Sequence, residues 1–416
     1  MSGYWIEWLS LLGRWLHFIV GIAWIGSSFY FVWLDNHLTP PKNSDDADKG
    51  VGGELWSVHG GGFYHAQKYR VAPSKLPETL HWFKWEAYTT WLSGMFLLVL
   101  IYWYGASLYL IDPAQAALSP PAAVGIGAAT IIGGWLVYDL LCRSPLGKQM
   151  GLLSVVLLLL LTAAAYGLCQ VFSGRGAYIH FGALIGTIMV ANVFFVIIPG
   201  QKRMVAAAAS GDPVNPEDGL RAKQRSVHNT YFTLPVLFVM ISNHYAMTYG
   251  HAYNWAILIA ISLAGALIRV YFVNLHFGRN NPWPIVVAGV LLATVAAAIA
   301  PKPVTATPAA PVPNDNSSAG TVNFETVVGI VRERCGSCHA AVPTQPGFIS
   351  PPGGVVLYET ADIQRQATLI HQQSVASNIM PIGNLTNMQQ AERDLLGAWI
   401  DAGARTDWTS AAIVRD

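Results

Sequence analysis

Hydrophobic residues are grouped along this chain into long runs that polar segments separate. Eight of the runs are long enough, or nearly long enough, to cross a lipid bilayer, whose core is roughly 30 Å thick. They lie near residues 11–34, 86–104, 122–142, 150–172, 178–200, 227–244, 253–276 and 283–300. The eighth run is short and rich in alanine, which makes it the weakest of the set. The pattern predicts a mostly α fold with an eight-helix transmembrane bundle.

The pattern changes after the eighth run. Residues 301–320 are mostly Pro, Ala, Thr, Asn and Ser, a composition typical of a linker. Residues 321–416 then carry short amphipathic segments, with a helix predicted at 324–334 and another at 385–404, where Thr386 is the expected N-cap. The predicted domains are a transmembrane domain at 1–300, the linker at 301–320 and a small C-terminal domain at 321–416.

Composition agrees with a membrane protein. Hydrophobic residues make up 53% of the 416 residues and charged residues only 11%, about half the charged fraction of a soluble domain. The net charge of +1 gives no reason to expect a nucleic-acid partner. Cys142 and Cys169 lie within apolar runs, so no disulfide is expected. The N-terminal tail lacks the pattern of a cleavable signal peptide.

The distribution of Lys and Arg predicts the orientation in the membrane. With eight spans, the connections at 35–85, 143–149, 201–225 and 277–282 share one side and carry many basic residues. The N-terminal tail and the opposite connections carry only Arg175. By the positive-inside rule the basic side is cytoplasmic. The N-terminus and the C-terminal domain are therefore predicted to be periplasmic, on a bacterial inner membrane.

Residues 335–339 read Cys-Gly-Ser-Cys-His, which is the attachment sequence of a c-type haem. The thiols of Cys335 and Cys338 are predicted to bond the porphyrin vinyl groups, and His339 to bind the iron. A zinc half-site would want a second Cys/His pair, which the sequence lacks. A redox dithiol or a chance match would also give two cysteines at this spacing. The motif predicts one covalent haem c in a class I cytochrome c domain.

The iron of such a haem needs a sixth ligand. Met380, followed by Pro381, is the predicted ligand, because a thioether raises the reduction potential and suits an electron acceptor. Met388 and His371 are its rivals. Met388 falls within the predicted last helix, where packing is the expected role, and His371 lies in a polar segment.

Three histidines of the transmembrane domain fall in the predicted periplasmic halves of spans: His17, His180 and His244. Ionisable residues at membrane depth are costly and usually functional. Electrons that cross the bilayer towards a periplasmic haem need an intermediate carrier, and paired imidazoles are the usual ligands of a haem b. The trio therefore predicts a haem b in the bundle. The alternative is that each histidine bonds a carbonyl or a water molecule.

Residues on the predicted cytoplasmic side suggest a ligand pocket. Arg269 lies in an apolar span seven residues before His276, hence on the same helical face. A guanidinium at that depth wants an anion, which can be a substrate, a haem propionate or a carboxylate. Residues 59–65 read His-Gly-Gly-Gly-Phe-Tyr-His, where the glycines would let the backbone approach a flat ligand. The alternative is an interfacial belt of Trp and Lys, which leaves the glycines unexplained.

Four segments resemble the membrane-bound, cytochrome c-linked urate oxidases of bacterial purine catabolism. They are residues 24–35 (WIGSSFYFVWLD), 50–56 (GVGGELW), 59–69 (HGGGFYHAQKY) and 81–91 (HWFKWEAYTTW). The order of parts resembles that family over essentially the whole chain, including the C-terminal cytochrome. The resemblance implies oxidation of urate to 5-hydroxyisourate, with electrons passed through the membrane domain to the cytochrome rather than to oxygen.

Urate fits the pocket that the residues suggest, because it is flat, aromatic and monoanionic near neutral pH. Arg269 is predicted to pair with the anion, and His59, His65 or Glu86 to act as the base, while His276 is a further candidate site residue on the face of Arg269. A soluble cytochrome c or a terminal oxidase is the expected electron acceptor. The oligomeric state is left open.

A fainter likeness concerns the first span only. Leu16-His17, Gly21 and residues 24–26 are similar to a segment of the membrane-integral, haem-b protoporphyrinogen oxidase. In that family the matching histidine is a haem ligand. The likeness supports His17 and no other residue.

Two different functions compete with urate oxidation. A quinol-to-cytochrome c electron carrier would also need a pocket for a flat molecule, and quinol-dependent reduction of the haem would identify it. The second rival is a membrane anchor that only presents a cytochrome to a partner complex. Eight spans studded with polar residues are more than an anchor requires.

Overall fold

The computed structural model describes residues 3–411 apart from 74, 114, 301–320, 347 and 349. The predicted linker at 301–320 lies outside the described residues. The described chain is mostly helical. Residues 3–300, here called the membrane unit, and residues 321–411, here called the C-terminal unit, have separate hydrophobic cores.

The membrane unit consists of helices and one β-hairpin. In chain order they are α1 (Gly3–His37), α2 (Ser44–Asp48), β1 (Val51–His59), β2 (Gly62–Tyr69), α3 (Trp85–Leu97), α4 (Ala106–Tyr109), α5 (Pro120–Arg143), α6 (Met150–Val171), α7 (Gly174–Ala191), α8 (Ile198–Ser210), α9 (Pro216–Ser242), α10 (Ala246–Tyr249), α11 (Asn254–His276) and α12 (Trp283–Ala298). β1 and β2 pair antiparallel. A π-helical segment, Leu98–Trp103, continues α3.

Within the described residues, five helical stretches are long and apolar enough to cross a membrane. They are Tyr4–His37, Pro120–Arg143, Met150–Val171, Gly174–Ser210 and Asn254–His276. The other three predicted spans fall on α3 with its π-helical extension, on α9 and on α12. These helices are shorter or more polar. The prediction of a helical membrane protein is supported, whereas the count of eight spans stays a prediction.

The longest of the five stretches contains a second π-helical segment, Asn192–Ile197, which joins α7 to α8. Pro199 follows it, and a proline has no N–H and crowds the carbonyl of the preceding turn, so a widened turn relieves the clash. The connection predicted at 201–225 is mostly helical, because α8 continues to Ser210 and α9 begins at Pro216.

Helix α7 lies at the centre of the membrane unit, and most of its side chains are buried. Its neighbours α5 and α9 approach closely where glycines occur. A Cβ atom on Gly127 would lie 2.7 Å from the His180 ring, and one on Gly182 would collide with Val239. Side chains on α7 are therefore held in a fixed, dry environment.

The C-terminal unit is a small helical unit closed by a short strand pair. Its elements are β3 (Thr321–Asn323), α13 (Phe324–His339), α14 (Thr360–Arg365), α15 (Ala367–Ile370), α16 (Gln390–Asp401) and β4 (Thr409–Ala411). The rings of Phe324 and Trp399 stack at 5.4 Å in its core. The first helix begins where the sequence predicted, and it continues through the Cys-x-x-Cys-His motif.

The predicted start of the last helix was wrong. The helix begins at Gln390, and Gln389 forms a capping box with Glu392. Thr386 is not the N-cap, since its hydroxyl donates to the Arg334 carbonyl at 2.8 Å. Met388 precedes the helix rather than lying in it, and it is buried in the core.

Candidate functional site

A cavity of about 580 Å³ lies where α1, the segment between β2 and α3, α8 and α9 meet. Its walls include both aromatic and polar side chains. The aromatic residues are Trp24, Phe31, Trp82 and Phe83, and the polar ones include Ser28, Asp35, His81, Gln201, Ser226 and Asn229. This size and mixture suit a flat ring whose edges form hydrogen bonds.

Asn229 connects the cavity to a buried polar network. Its side-chain oxygen accepts from Asn192 Nδ2 at 2.9 Å, and its own amide donates to the Met189 carbonyl at 2.9 Å. Asn192, the first residue of the π-helical segment, also donates to the Tyr138 hydroxyl at 2.9 Å. Tyr138 in turn pairs with His228 Nδ1 at 2.7 Å. The cavity-facing amide is thus fixed in orientation by residues on three helices.

The same network contains a buried ion pair. Arg225 on α9 donates to Asp139 on α5 at 2.7 Å, and Arg143 also pairs with Asp139, at 2.6 Å. Arg225 Nη1 lies 3.4 Å from the Asn192 side-chain oxygen. Charge and hydrogen bonds together hold α5, the π-helical segment and α9 in register beside the cavity.

Arg269, a predicted anion-binding residue, is buried on α11, and two of its guanidinium nitrogens have no partner among the described residues. Its guanidinium lies over the Phe29 ring at 3.9 Å. Within the described residues its Nε and Nη2 atoms have no hydrogen-bond partner, and it forms no salt bridge. Buried polar groups in folded proteins are nearly always paired, so an unpaired guanidinium indicates a missing ligand, ion or water.

His276 lies two helical turns after Arg269 on α11. Arg269, His276 and Asn36, which all carry atoms without a described partner, are here called the unpaired cluster. The Nδ1 atom of His276 is buried and has no partner among the described residues. Its ring lies 5.3 Å from that of His37, whose Nδ1 donates to the Trp33 carbonyl at 2.7 Å. The amide nitrogen of Asn36 on α1 is likewise buried without a described partner.

The unpaired cluster and the cavity use adjoining faces of α1. Ile25 and Val32 line the cavity, and Phe29 is in contact with Arg269. Residues four apart on an α-helix are offset by about 40° around its axis. Among the described residues the cavity lining does not include Arg269 or His276, so the positive charge lies beside the cavity rather than in its wall.

The structure gives the His-Gly-Gly-Gly segment a different role from the predicted one. Gly60 and Gly61 form the two-residue turn of the β1–β2 hairpin, with φ of +56° and +80°. Two positive φ angles in succession are the reason for glycine there. His59 is exposed at the start of this turn. The structure therefore does not bring His59 to the cavity.

His65 is held by the hairpin. Its Nε2 atom lies 2.9 Å from a carboxylate oxygen of Glu54, and its ring stacks on Trp56 at 4.2 Å. The backbone N–H of Lys42, and to a smaller extent His65, hold the pKa of Glu54 below its ordinary value. Neither His65 nor Glu86 lines the cavity among the described residues. The Glu86 Oε2 atom is buried and has no hydrogen-bond partner in the described part of the chain.

The predicted haem-attachment residues lie together at the end of α13. Burial raises the pKa of the Cys335 thiol to about 12, and burial also raises the pKa of Cys338. His339 Nδ1 donates to the Val355 carbonyl at 2.8 Å. Iron-ligating histidines commonly donate one ring nitrogen in this way, while the other nitrogen binds the metal.

Met380 lies on the loop that precedes α16. Its N–H donates to the Gln373 carbonyl at 2.8 Å, and its carbonyl accepts from the buried Arg393 at 2.8 Å. Its rival Met388 is 3% exposed in the core. The other rival, His371, lies 3.9 Å from Asp401. These two hydrogen bonds hold Met380 through its backbone, and neither of them uses its side chain.

The three histidines predicted to hold a haem b have different surroundings. His17 Nδ1 pairs with Ser93 at 2.9 Å. His180 is fully buried, with Nδ1 donating to the Gly176 carbonyl at 2.8 Å and Nε2 accepting from Trp103 at 3.1 Å. His244 is exposed in a turn after α9. Both ring nitrogens of His180 are therefore occupied by protein.

Residues that the sequence reasoning passed over form most of the site. Asn229, Gln201 and His81 line the cavity, while Asn192 and Tyr138 orient the first of them. The Pro199 that follows the π-helical segment was a visible signal, but polar residues scattered over three helices carry no local pattern. In the described residues there is no cluster of three or more His, Cys, Asp or Glu side chains arranged to hold a metal ion.

A comparison with known protein families gives one relevant match. The family model described as urate oxidase N-terminal matches residues 3–300. No curated protein and no solved structure matches the chain. The match covers the cavity, its polar network and the unpaired Arg269–His276 cluster, and it ends before the C-terminal unit.

Proposed function

The chain belongs to the urate oxidase N-terminal family, and from this premise we propose that it oxidises urate to 5-hydroxyisourate and passes the electrons to a covalent haem c. The family match over residues 3–300 carries the proposal, because it covers the whole membrane unit. The balanced step is urate plus water to 5-hydroxyisourate, with release of two protons and two electrons. The electrons leave one at a time.

Urate binds in the cavity between α1, α8 and α9. Trp24 and Trp82 offer faces against which its ring system packs, and Asn229 and Gln201 offer hydrogen bonds to its edges. Arg269 of α11, which lies against Phe29 on the adjoining face of α1, supplies positive charge that favours the monoanion. Because the guanidinium is buried and its Nε and Nη2 atoms have no partner among the described residues, its attraction for an anion is little weakened by solvent.

A base must take a proton as the electrons leave. His81 lines the cavity and is the histidine best placed for this role. The sequence favoured His59, His65 or Glu86 instead, and these residues stay candidates only if the hairpin or α3 moves. Water then adds to the oxidised ring, so the new oxygen atom of the product comes from water.

The C-terminal unit is proposed to be a class I cytochrome c domain. Cys335 and Cys338 would hold the porphyrin, and His339 and Met380 would bind its iron. The donated Nδ1–H of His339 and the backbone anchoring of Met380 fit this group. Haem c, when bound, accepts and releases one electron at a time. A soluble cytochrome c or a terminal oxidase is the proposed final acceptor.

The proposed arrangement in the inner membrane follows the charge pattern, with the N-terminus and the cytochrome domain periplasmic. The bundle of eight helices stays part of this proposal. An internal haem b stays a prediction that the residue arrangement does not favour, because His180 Nε2 is occupied by Trp103. No electron step is therefore assigned to His17, His180 or His244.

Product formation from labelled water tests the proposed function. The purified full chain is incubated without oxygen in ¹⁸O-water with urate and an oxidised soluble cytochrome c. The expected result is 5-hydroxyisourate with one labelled oxygen and two reduced cytochromes per urate. Reduction of the haem by a quinol, without any product from urate, would overturn the proposal in favour of an electron carrier.

A further inference from the structure

The C-terminal unit rests on the membrane unit near the predicted axial ligand. Ile379 packs against the membrane-unit cluster that contains Leu110 and Ile111. A Cβ atom on Gly383 would lie 3.0 Å from the Ile111 carbonyl oxygen. Residues 379–383 include Met380, so the loop that carries this ligand is the loop in contact with residues 105–112.

Residues 105–112 are themselves anchored to the start of α7. The Ser173 N–H donates to the Leu110 carbonyl at 2.9 Å, and the Ser173 hydroxyl donates to the Tyr109 carbonyl at 2.8 Å. Leu110 is fully buried, and Gly176 leaves no room for a Cβ atom against it. The C-terminal unit therefore rests on a firmly attached segment rather than on a free loop.

A series of neighbouring aromatic rings runs from this segment towards the interior of the membrane unit. The Tyr109 ring lies 6.3 Å from Tyr102, which lies 6.3 Å from His180. The Arg175 guanidinium covers Tyr109 at 5.3 Å and Tyr102 at 5.9 Å. On the other side, a Cβ atom on Gly383 would lie 3.5 Å from the Ser107 carbonyl oxygen and 3.9 Å from that of Leu108. Tyr109 thus belongs to the segment that the Met380 loop touches.

Charge also links the two units. The buried Arg393 donates to the carbonyls of Ser374 and Met380 at 2.7 and 2.8 Å, which fixes the ligand loop. Asp112, on the membrane unit, acts electrostatically on the same guanidinium. The residue that positions the Met380 loop is therefore paired in charge with the segment beneath it.

We propose that residues 105–112 form a docking platform for the Met380 loop, and that Tyr109 is the point at which electrons enter the C-terminal unit. The electron path rests on the proposed function, whereas the docking does not. One electron crosses per transfer, from the urate side to the oxidised haem c. Tyr109 forms and breaks no bond and exchanges no proton. Its packed ring only fills the space between the electron donor and the acceptor.

Docking is tested by hydrogen exchange on the full chain. Ile379→Asp places a charge in the contact, and Val342→Asp, at a position 79% exposed on the same unit, is the matched control. We expect faster exchange across residues 105–112 in Ile379→Asp alone, with haem content and Met ligation unchanged in the absorbance spectrum. Equal exchange in the two variants would overturn the docking platform.

The electron entry point is tested by the rate at which urate reduces the haem. Tyr109→Leu should slow this reduction by at least about tenfold, with urate affinity and reduction by dithionite unchanged. Tyr109→Phe keeps the ring and should react at the wild-type rate. Equal rates in the Leu and Phe variants would overturn the role of Tyr109. If urate fails to reduce even the wild-type haem, the proposed function fails, and the exchange experiment still decides the docking.

Discussion

Arg175 and Arg269 are two arginines at opposite ends of the membrane unit, and their surroundings differ. Arg175 donates to the Tyr102 hydroxyl and to Asn243, each at 3.1 Å, and it covers two tyrosine rings. Arg269 lies over one ring, and its Nε and Nη2 atoms have no partner in the described part of the chain. The first guanidinium is part of the folded framework, whereas the second is the one to which the proposed function assigns an anionic ligand.

The surroundings of each arginine agree with this distinction. Near Arg175 the ring nitrogens of His180 are both bonded, and the neighbouring segment supports the C-terminal unit. Near Arg269 the atoms His276 Nδ1 and Asn36 Nδ2 also have no partner among the residues that the structure describes, and a cavity adjoins. A sequence search for intramembrane charge finds both arginines, but only the contacts separate a structural one from a binding one.

The largest effect is expected at the unpaired arginine. Arg269→Met should weaken urate binding by about 1.5–3 kcal/mol, the usual contribution of a charge-assisted contact. The same change should leave the unfolding temperature in detergent equal or higher, because it removes a buried unpaired charge. Arg269→Lys should retain part of the affinity. Calorimetry with urate measures the first effect, and unchanged affinity in Arg269→Met would remove its proposed role.

Replacing the paired arginine, Arg175, should lower stability and leave urate binding unchanged, the opposite of the result expected for Arg269. Arg175→Met leaves the Tyr102 hydroxyl and the Asn243 oxygen without their donor, at a cost of about 1–3 kcal/mol for each acceptor that stays buried. Urate affinity should not change. Thermal unfolding in detergent measures the loss, with Arg269→Met as the matched control. A stable Arg175→Met variant with weakened urate binding would reverse the comparison.

A smaller effect is expected at the cavity amide. Asn229→Leu removes the acceptor for Asn192 and the donor to Met189, so stability should fall by about 1 kcal/mol and urate affinity should fall as well. Thr230→Val, on the neighbouring position of α9, is the control, since Thr230 bonds only to the Ser226 carbonyl in the described contacts. Equal urate affinity in the two variants would exclude the cavity as the binding site.

The smallest expected effect is a loss of stability of the β1–β2 hairpin at low pH. The pKa of Glu54 is lowered in the folded hairpin, so its contribution to stability is complete above the unfolded pKa and is lost as pH falls through the folded one. Hydrogen exchange across residues 51–69 should accelerate in this range. Glu54→Gln should show that acceleration already at neutral pH. Unchanged hydrogen exchange of the hairpin, both at low pH and in Glu54→Gln, would refute the role of Glu54.

The parts that were predictable from sequence are those with a local physical cause. A span needs only a long apolar run, and five of the predicted spans fall on helices long and apolar enough to cross a membrane. The Cys-x-x-Cys-His motif is equally local, while the haem that it indicates stays a prediction. The hairpin could also have been read, because Gly60-Gly61 between alternating residues is a turn signal. Its glycines were instead interpreted as room for a ligand.

The candidate site was less predictable because tertiary contacts create it. Asn192 and Asn229 lie 37 positions apart and meet only because the π-helical segment turns the first towards α9. The missing partners of Arg269 are likewise a property of packing, although its place in an apolar span predicted a need for an anion. The start of α16 at Gln390 shows the same limit, since Thr386 bonds to α13 instead of capping a helix.

The most direct measurement is an absorbance spectrum of the oxidised full chain, taken without oxygen before and after urate is added. The proposed function predicts rapid appearance of the bands of reduced haem c, at the rate of urate binding and oxidation, and no such change in Arg269→Met at low urate. A haem that stays oxidised with urate but is reduced at once by a quinol would contradict urate oxidation as the function of this chain.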